Sequence, residues 1–301
     1  MNRSAIPRRS RRSRAAGLLK LSRWKEHILF TVPATVIGAT MAARQNPEVA
    51  LDGHVLTVTL ANILAVTVAF MVNDIEDAPD DAREAHRAVR NPVTMGEVTP
   101  REGWLASFAL SALALALYAW ASLAAFWTGA LTVALAYLYS WRAVRLKARP
   151  VVDAISHALM LSALLFLAGY FAYDAAPGRV WLVALGVGLI SVYGQLYNQA
   201  RDFDMARAAG LHNTASIVGR RATPALMYAA LAAAAVCLLT TALLGLWPAW
   251  LALVPLVMLP VLWLYRPGTD MRGTAAIDLS GRVQLGFMLI ANVAAVAWLG
   301  A

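Results

Sequence analysis

The 301-residue sequence predicts an all-α fold, a polytopic bundle of nine transmembrane helices capped by cytoplasmic loops. Three observations predict it. The first is composition: 60% of the residues are hydrophobic and only 14% charged, too little polar surface to coat a water-soluble globule of this size. The second is length, because nine apolar runs approach or reach the roughly 17 to 25 residues that cross a hydrocarbon core about 30 Å thick. The third is the placement of the basic residues. Of 26 Lys and Arg, 24 fall before the first run or in alternate loops, and only Arg44 and Arg179 fall on the opposite side. Cytoplasmic loops are enriched in Lys and Arg, so the N-terminus and the loops at 73–103, 142–151, 198–224 and 266–282 are expected in the cytoplasm, with the protein in the plasma (inner) membrane.

Residues 1–22 are a basic tail, with Arg8, Arg9, Arg11, Arg12 and Arg14 in one stretch. This tail is expected to be disordered and to lie against the anionic head groups of membrane lipids. The net charge of +9 is thus a topology signal, and no nucleic-acid partner is expected. The membrane domain covers 23–301, with apolar runs at 28–43, 55–72, 104–120, 123–141, 152–173, 180–197, 225–246, 249–265 and 283–300. No cleavable signal is expected, because the first apolar run begins only after some 27 residues and no small-residue cleavage pattern follows a short core. Cys237 lies inside an apolar run and reads as core packing. Neither a repeat period nor a Pro/Gly/Ser linker divides the chain, so one membrane domain is predicted.

The chemistry-capable residues gather in two of the cytoplasmic loops. Directly after the second run comes Asn73, Asp74, Ile75, Glu76, Asp77, Ala78, Pro79, Asp80, Asp81. Like charges this close repel and are rarely gathered at a membrane boundary without a cation to neutralise them; the alternative is a solvated acidic loop. Asp74, Asp77 and Asp81 stand three and four residues apart, which on a helix continuing the second span puts them on one face. Such carboxylates suit Mg2+, a hard cation that sits between carboxylates and substrate phosphates. Pro79 favours a kink, and a shifted register would make Asp80, Asp81 and Glu84 a competing triplet. A second cluster, Asn198, Gln199, Arg201, Asp202 and Asp204, again follows an apolar run directly, which points to one shared site. Between them lies Tyr139, Ser140, Arg142, Arg145, Lys147 and Arg149, cations that mark the cytoplasmic side and that would neutralise phosphate oxygens if the acids hold a metal diphosphate.

Asn73, Asp74, Asp77 and Asp81 match the Asn-Asp-x-x-Asp-x-x-x-Asp signature of the UbiA superfamily of intramembrane prenyltransferases, followed by Arg90, Asn91, Pro92 and Gly96. Tyr139, Ser140, Arg145, Leu146, Lys147, Pro150 and Asp153 resemble the family's central stretch, and Asn198, Asp202, Gly210, Thr214 and Gly219 its second acidic motif. The resemblance spans roughly residues 23 to 300 and implies nine helices around a lipid-open cavity. One departure stands out: the second motif would place its last carboxylate at position 206, which is Ala206, with Asp204 two residues early.

The resemblance implies that Mg2+, held by Asn73, Asp74, Asp77, Asp81, Asn198 and Asp202, binds an isoprenyl diphosphate. Asn73, Arg145, Lys147, Asn198 and Arg201 would hold the diphosphate, and Asp77, Asp202, Lys147 and Tyr139 would act in catalysis. The allylic cation would be stabilised by aromatic faces such as Tyr139, Tyr193 or Tyr197 and captured by a lipophilic, aromatic or other acceptor. Arg23, Lys25 and His27 are candidates for binding that acceptor, Arg23 foremost; His157 and Ser162 are polar groups at membrane depth that read either as satisfied core or as acceptor contacts. The alternatives are an intramembrane terpene cyclase of the same superfamily and, in another class, a cation transporter. The transporter is disfavoured because the acids lie at the cytoplasmic ends of the spans and only Asp153 approaches a helix.

Overall fold

The computed structural model describes residues 11–208, 210–248, 250–251 and 279–300. Its helices are α1 (Arg11–Leu21), α2 (Trp24–Gln45), α3 (His54–Asp81), α4 (Ala85–Arg90), α5 (Pro100–Ala121), α6 (Leu123–Ser140), α7 (Val152–Phe171), α8 (Val180–Arg201), α9 (Phe203–Ala208), α10 (Thr214–Val218), α11 (Thr223–Leu243) and α12 (Leu279–Gly300). Seven of the described helices, α2, α3, α5, α6, α7, α8 and α11, are long and apolar enough to cross a membrane. They coincide with the first seven apolar runs. The last run lies within α12, apolar over Leu289–Gly300, and the run at 249–265 lies almost wholly outside the described residues. The protein is an integral membrane helical bundle.

The tail departs from expectation. Residues 11–21 form α1 instead of a disordered extension, because the run has an apolar side: Leu21 is fully buried with Met71, Ile75, Val93 and Val98, and Leu18 packs alongside. Gly17 lies so close to the 93–98 segment that a Cβ there would stand 2.8 Å from Val98. Lys20 pairs with Glu97 at 2.9 Å and Arg14 with Glu102 at 3.5 Å. Arg8 and Arg9 lie outside the described residues.

α2 runs through the centre, packed against α3, α7 and α12. Two glycines let it approach α7 backbone to backbone: a Cβ on Gly38 would overlap the carbonyl oxygen of Phe166, and one on Gly169 that of Thr35. Small residues permit such close packing where hydrophobic attraction between helices is weak. Asn62 of α3 joins four helices. Its amide donates to Thr35 Oγ1 (2.7 Å) and to the Leu165 carbonyl (2.9 Å), and its oxygen accepts from the Tyr118 hydroxyl (2.5 Å). A polar side chain fully removed from water must be satisfied in this way; here α2, α3, α5 and α7 are locked into one arrangement.

α3 has 28 residues, about 42 Å at 1.5 Å per residue, longer than the hydrocarbon core. Its last turns therefore project beyond the span, and they carry the acidic run. Pro79 lies inside the final turn without ending it, since the Ala82 amide still donates to the Ala78 carbonyl at 3.1 Å. α7 contains one π turn, Leu159–Ala163, a local widening often found beside functional sites. α5 begins with a capping box, Thr99 Oγ1 accepting from the Glu102 amide while Glu102 accepts from the Thr99 amide. It returns the chain to the bundle after the first long loop.

Candidate active site

The end of α3 faces the 141–151 loop, which is bent back by two left-handed residues, Arg145 (φ 49°) and Val151 (φ 67°). Between them a single 3-10 turn, Leu146–Ala148, points Lys147 at the helix. Lys147 Nζ lies 2.6 Å from both carboxylate oxygens of Asp77 and 3.0 Å from Asn73 Oδ1. Ser140 Oγ also donates to Asn73 Oδ1, at 3.1 Å. Burial pushes the Lys147 ammonium below its ordinary value, against the opposing pull of Asp77. Arg145 lies 3.3 Å from Asp80 and 3.8 Å from Asp77, and its buried Nε has no hydrogen-bond partner among the described residues. Arg142 completes this row at 3.1 Å from Asp80.

Around the helix, Asp74 is buried and paired with Arg23 at 3.1 Å. Arg23 also binds Glu26 and lies over the Phe70 ring, 4.7 Å from its centroid. Asp81 accepts from Asn91 Nδ2 at 2.8 Å, and the same amide donates to the Asp74 carbonyl. The two acidic segments meet through Arg87 of α4, whose guanidinium lies 3.8 Å from Asp81 and 3.6 Å from Asp202. Asp202 is bound as well by its neighbour Arg201, at 3.1 Å.

The sequence-predicted residues are therefore gathered at one end of the bundle, in three sub-clusters. Asn73, Asp77, Lys147 and Arg145 converge; Asp81 and Asp202 share Arg87; Asp74 and Arg23 form their own pair. Asn198 is exposed. Among the described residues no three His, Cys, Asp or Glu side chains stand close enough to form a ready metal cage. Each carboxylate instead has a protein cation against it, as mutual repulsion requires. The donor set nonetheless fits a divalent oxygen-seeking metal: Asp77 and Asn73 direct three oxygens at one cationic point, and Asp81 and Asp202 direct two more at another.

Below these acids a polar ladder descends along one face of α8. Gln199, Gln195 and Ser191, each four residues apart, bind Asp153, Tyr139 and His157 at 2.6, 2.8 and 3.1 Å. Asp153 is completely buried, and it also accepts from the Thr214 amide (2.8 Å) and hydroxyl and from the Ala154 amide. It anchors the 198–224 loop onto α7. Gln199 in turn accepts from the Ala215 amide at 3.0 Å. Sequence reasoning missed Arg87, Gln195 and Ser191 as site residues, and treated Gln199 only as part of an acidic cluster. The four-residue spacing of polar groups in an otherwise apolar run was the signal for the ladder.

The UbiA prenyltransferase family model matches residues 31–296. No curated protein sequence matches the chain. Among solved structures, a UbiA homolog from Archaeoglobus fulgidus bound to GPP and Mg2+ is similar at 21% identity with a TM-score of 0.71, covering 95% of this chain and 100% of that one. The apo structure of a UbiA homolog from Aeropyrum pernix K1 gives 21% identity and 0.70, covering 90% and 97%. A digeranylgeranylglyceryl phosphate synthase gives 17% and 0.66, covering 95% and 97%. At these identities the structural likeness shows the fold, while the family model covers most of the sequence: the chain belongs to the UbiA prenyltransferase family.

Proposed function

We propose that this prenyltransferase uses Mg2+ to transfer a prenyl group from an isoprenyl diphosphate to a lipophilic acceptor bearing a hydroxyl, with an aromatic acceptor favoured. The observation that carries the reading is the meeting of two acidic helix ends beside a pair formed by the buried Lys147 and the half-buried Asp77, at one end of an apolar bundle. Solved UbiA homologs carry GPP or DMAPP together with Mg2+, and the donor set here suits the same pair. Asn73, Asp77, Asp81, Asn198 and Asp202 are assigned to the metal, with Asp74 held behind them by Arg23. Bound there, Mg2+ would supply positive charge to the departing diphosphate. Lys147, Arg145 and Arg201 would take phosphate oxygens as charge develops on the leaving group. Tyr139, one residue before Ser140 and hydrogen-bonded to Gln195, would present its ring to the allylic cation. In this reading the acceptor, not water, is the nucleophile. Arg23 is assigned to an acidic group of the acceptor; its stacking on Phe70 places it at the rim between α2 and α3.

Purified protein incubated with Mg2+ and geranyl diphosphate should release diphosphate, and chelation should abolish the release. Mass spectrometry with and without added phenols identifies the prenylated product. Prenyl alcohol or a cyclic terpene as the sole product would replace transfer with hydrolysis or cyclisation. The 24-to-2 partition of basic residues supports a cytoplasmic position for the acidic ends, and the plasma membrane is the proposed location. Thiols introduced as His86→Cys or His212→Cys should resist an impermeant reagent added outside intact cells. Labelling from outside would invert the topology.

A further inference from the structure

The polar ladder on α8 ends on a group that the protein leaves half-satisfied. Gln199 is closed by protein partners through both atoms of its amide, to Asp153 and to the Ala215 amide, and Gln195 binds Tyr139 through Nε2. The lowest rung differs. His157 Nδ1 lies 3.1 Å from Ser191 Oγ, while Nε2 has no hydrogen-bond partner among the described residues. Tyr139 and His157 are both half-buried. The Tyr139 ring centre is 6.2 Å from that of His157. Ser162 is closed by the Val187 carbonyl at 2.8 Å, so of these two α7 side chains His157 is the one with an open polar atom among the described residues.

A polar nitrogen left unpaired at membrane depth is costly, because hydrocarbon offers it no partner. An apolar side chain would fill the position without that cost. From Gln199 to Ser191 the ladder drops eight residues, about 12 Å along the helix, while the diphosphate-binding cations lie at its upper end. The prenyl chain beyond its diphosphate has no polar atom to offer His157. Standing water would capture the allylic cation and waste it. The reactant with a polar group able to reach this depth is the acceptor.

We propose that His157, held by Ser191, binds the hydroxyl of the acceptor through Nε2 and holds the acceptor beside Tyr139. This rests on the reading of the protein as a prenyltransferase with a hydroxyl-bearing acceptor. The test uses geranyl diphosphate with Mg2+ and three phenolic probes, 4-hydroxybenzoate, 1,4-dihydroxy-2-naphthoate and 4-hexylphenol, with prenylated phenol and geraniol measured separately. In His157→Phe the ratio of prenylated phenol to geraniol should fall at least tenfold, with the KM for phenol rising more than the KM for geranyl diphosphate. His157→Gln, which keeps a hydrogen-bonding group, should recover part of the ratio. Should His157→Phe not fold, Ser191→Ala serves: freeing the ring should lower the same ratio at least threefold. Loss of both products in parallel, or an unchanged ratio, would overturn the assignment. Diphosphate release by the wild type with no phenol prenylated would overturn the hydroxyl acceptor and His157 with it, whereas no diphosphate release at all would overturn the prenyl-transfer reading itself.

Discussion

The two acidic helix ends look alike in sequence and differ in how the protein holds them. The end of α3 is built into its surroundings: Asp74 is buried on Arg23, Asp77 is gripped through both oxygens by Lys147, and Asp80 lies between Arg142 and Arg145. At the end of α8, Asn198 is exposed, Asp202 is held by its own neighbour and by Arg87 from another segment, and Asp204 points to Arg220. The first end is preorganised before any ligand arrives. The second has few fixed contacts, so its geometry is completed by whatever cation and phosphate it meets. Preorganised charge contributes most to a transition state because nothing has to be rearranged at the moment of reaction.

The largest effect should therefore come from the first end. Asp77→Asn keeps the shape, removes the charge opposite Lys147 and should lower diphosphate release by about a thousandfold in saturating Mg2+. Asp77→Ala carries a second penalty. A side chain at the helix end would ordinarily have little packing to lose, but this one is the counterion of a nearly buried ammonium, and breaking such a pair costs about 3 kcal/mol. Full turnover of Asp77→Asn would remove the distinction between the two ends.

Next comes Asp202→Asn, expected to lower release by about a hundredfold, since Asp202 is the carboxylate that faces α4 and Asp81 across Arg87. Asn198→Ala should follow at about tenfold, the loss of a neutral oxygen from a shared ligand set. Steady-state kinetics over a range of Mg2+ concentrations separates the two. Asp202→Asn should not be rescued by more metal, whereas Asn198→Ala should recover at high metal. If Asp202→Asn were as damaging as Asp77→Asn, the second end would contribute as much preorganised charge as the first.

Much of this contrast was legible in the chain and part was not. The spans were readable because membrane thickness sets a length that hydropathy alone reveals, and the face shared along α3 followed from spacing. What no spacing shows is which cation meets which acid. The loop that brings Lys147 to Asp77 has positive φ at Arg145 and Val151, a conformation that nothing in their side chains demands. Arg87 bridges two loops more than a hundred residues apart, and α1 was hidden by its own arginines although Leu18 and Leu21 carry its docking face. The α8 ladder was different: Ser191, Gln195 and Gln199 stand at helical spacing in plain view, and their partners on α6 and α7 needed the fold.

A gentler perturbation sharpens the picture of the first end. Burial holds Lys147 below its ordinary value of 10.5. Between that lowered value and 10.5 the unfolded chain binds more protons than the folded one, so stability rises as pH increases through this window and is lost as pH falls through the folded value. Melting temperature measured in detergent on the alkaline side should climb in the wild type relative to Lys147→Met. Parallel curves for the two proteins would mean that Lys147 is solvated rather than buried, and that the first end is no better organised than the second.

The smallest effect belongs to Asp204, the residue nearest to replacing the carboxylate absent at Ala206. α8 ends at Arg201 and α9 starts at Phe203, yet helical bonding carries through the junction: the Asp202 amide donates to the Asn198 carbonyl and the Ala206 amide to the Asp202 carbonyl, both at 2.9 Å. With the register kept, residues two apart point in different directions, and the Asp204 side chain is 66% exposed against Arg220 at 3.0 Å. An exposed pair of this kind contributes at most about 1 kcal/mol to stability. Asp204→Ala should accordingly change diphosphate release by less than about twofold and leave the Mg2+ dependence where it was, because the carboxylate is an ordinary exposed ion-pair partner. A loss matching that of Asp202→Asn would mean that the 202–206 junction unwinds around the ligand and turns Asp204 inward, so that the loosely held end gains its second carboxylate only when substrate is bound.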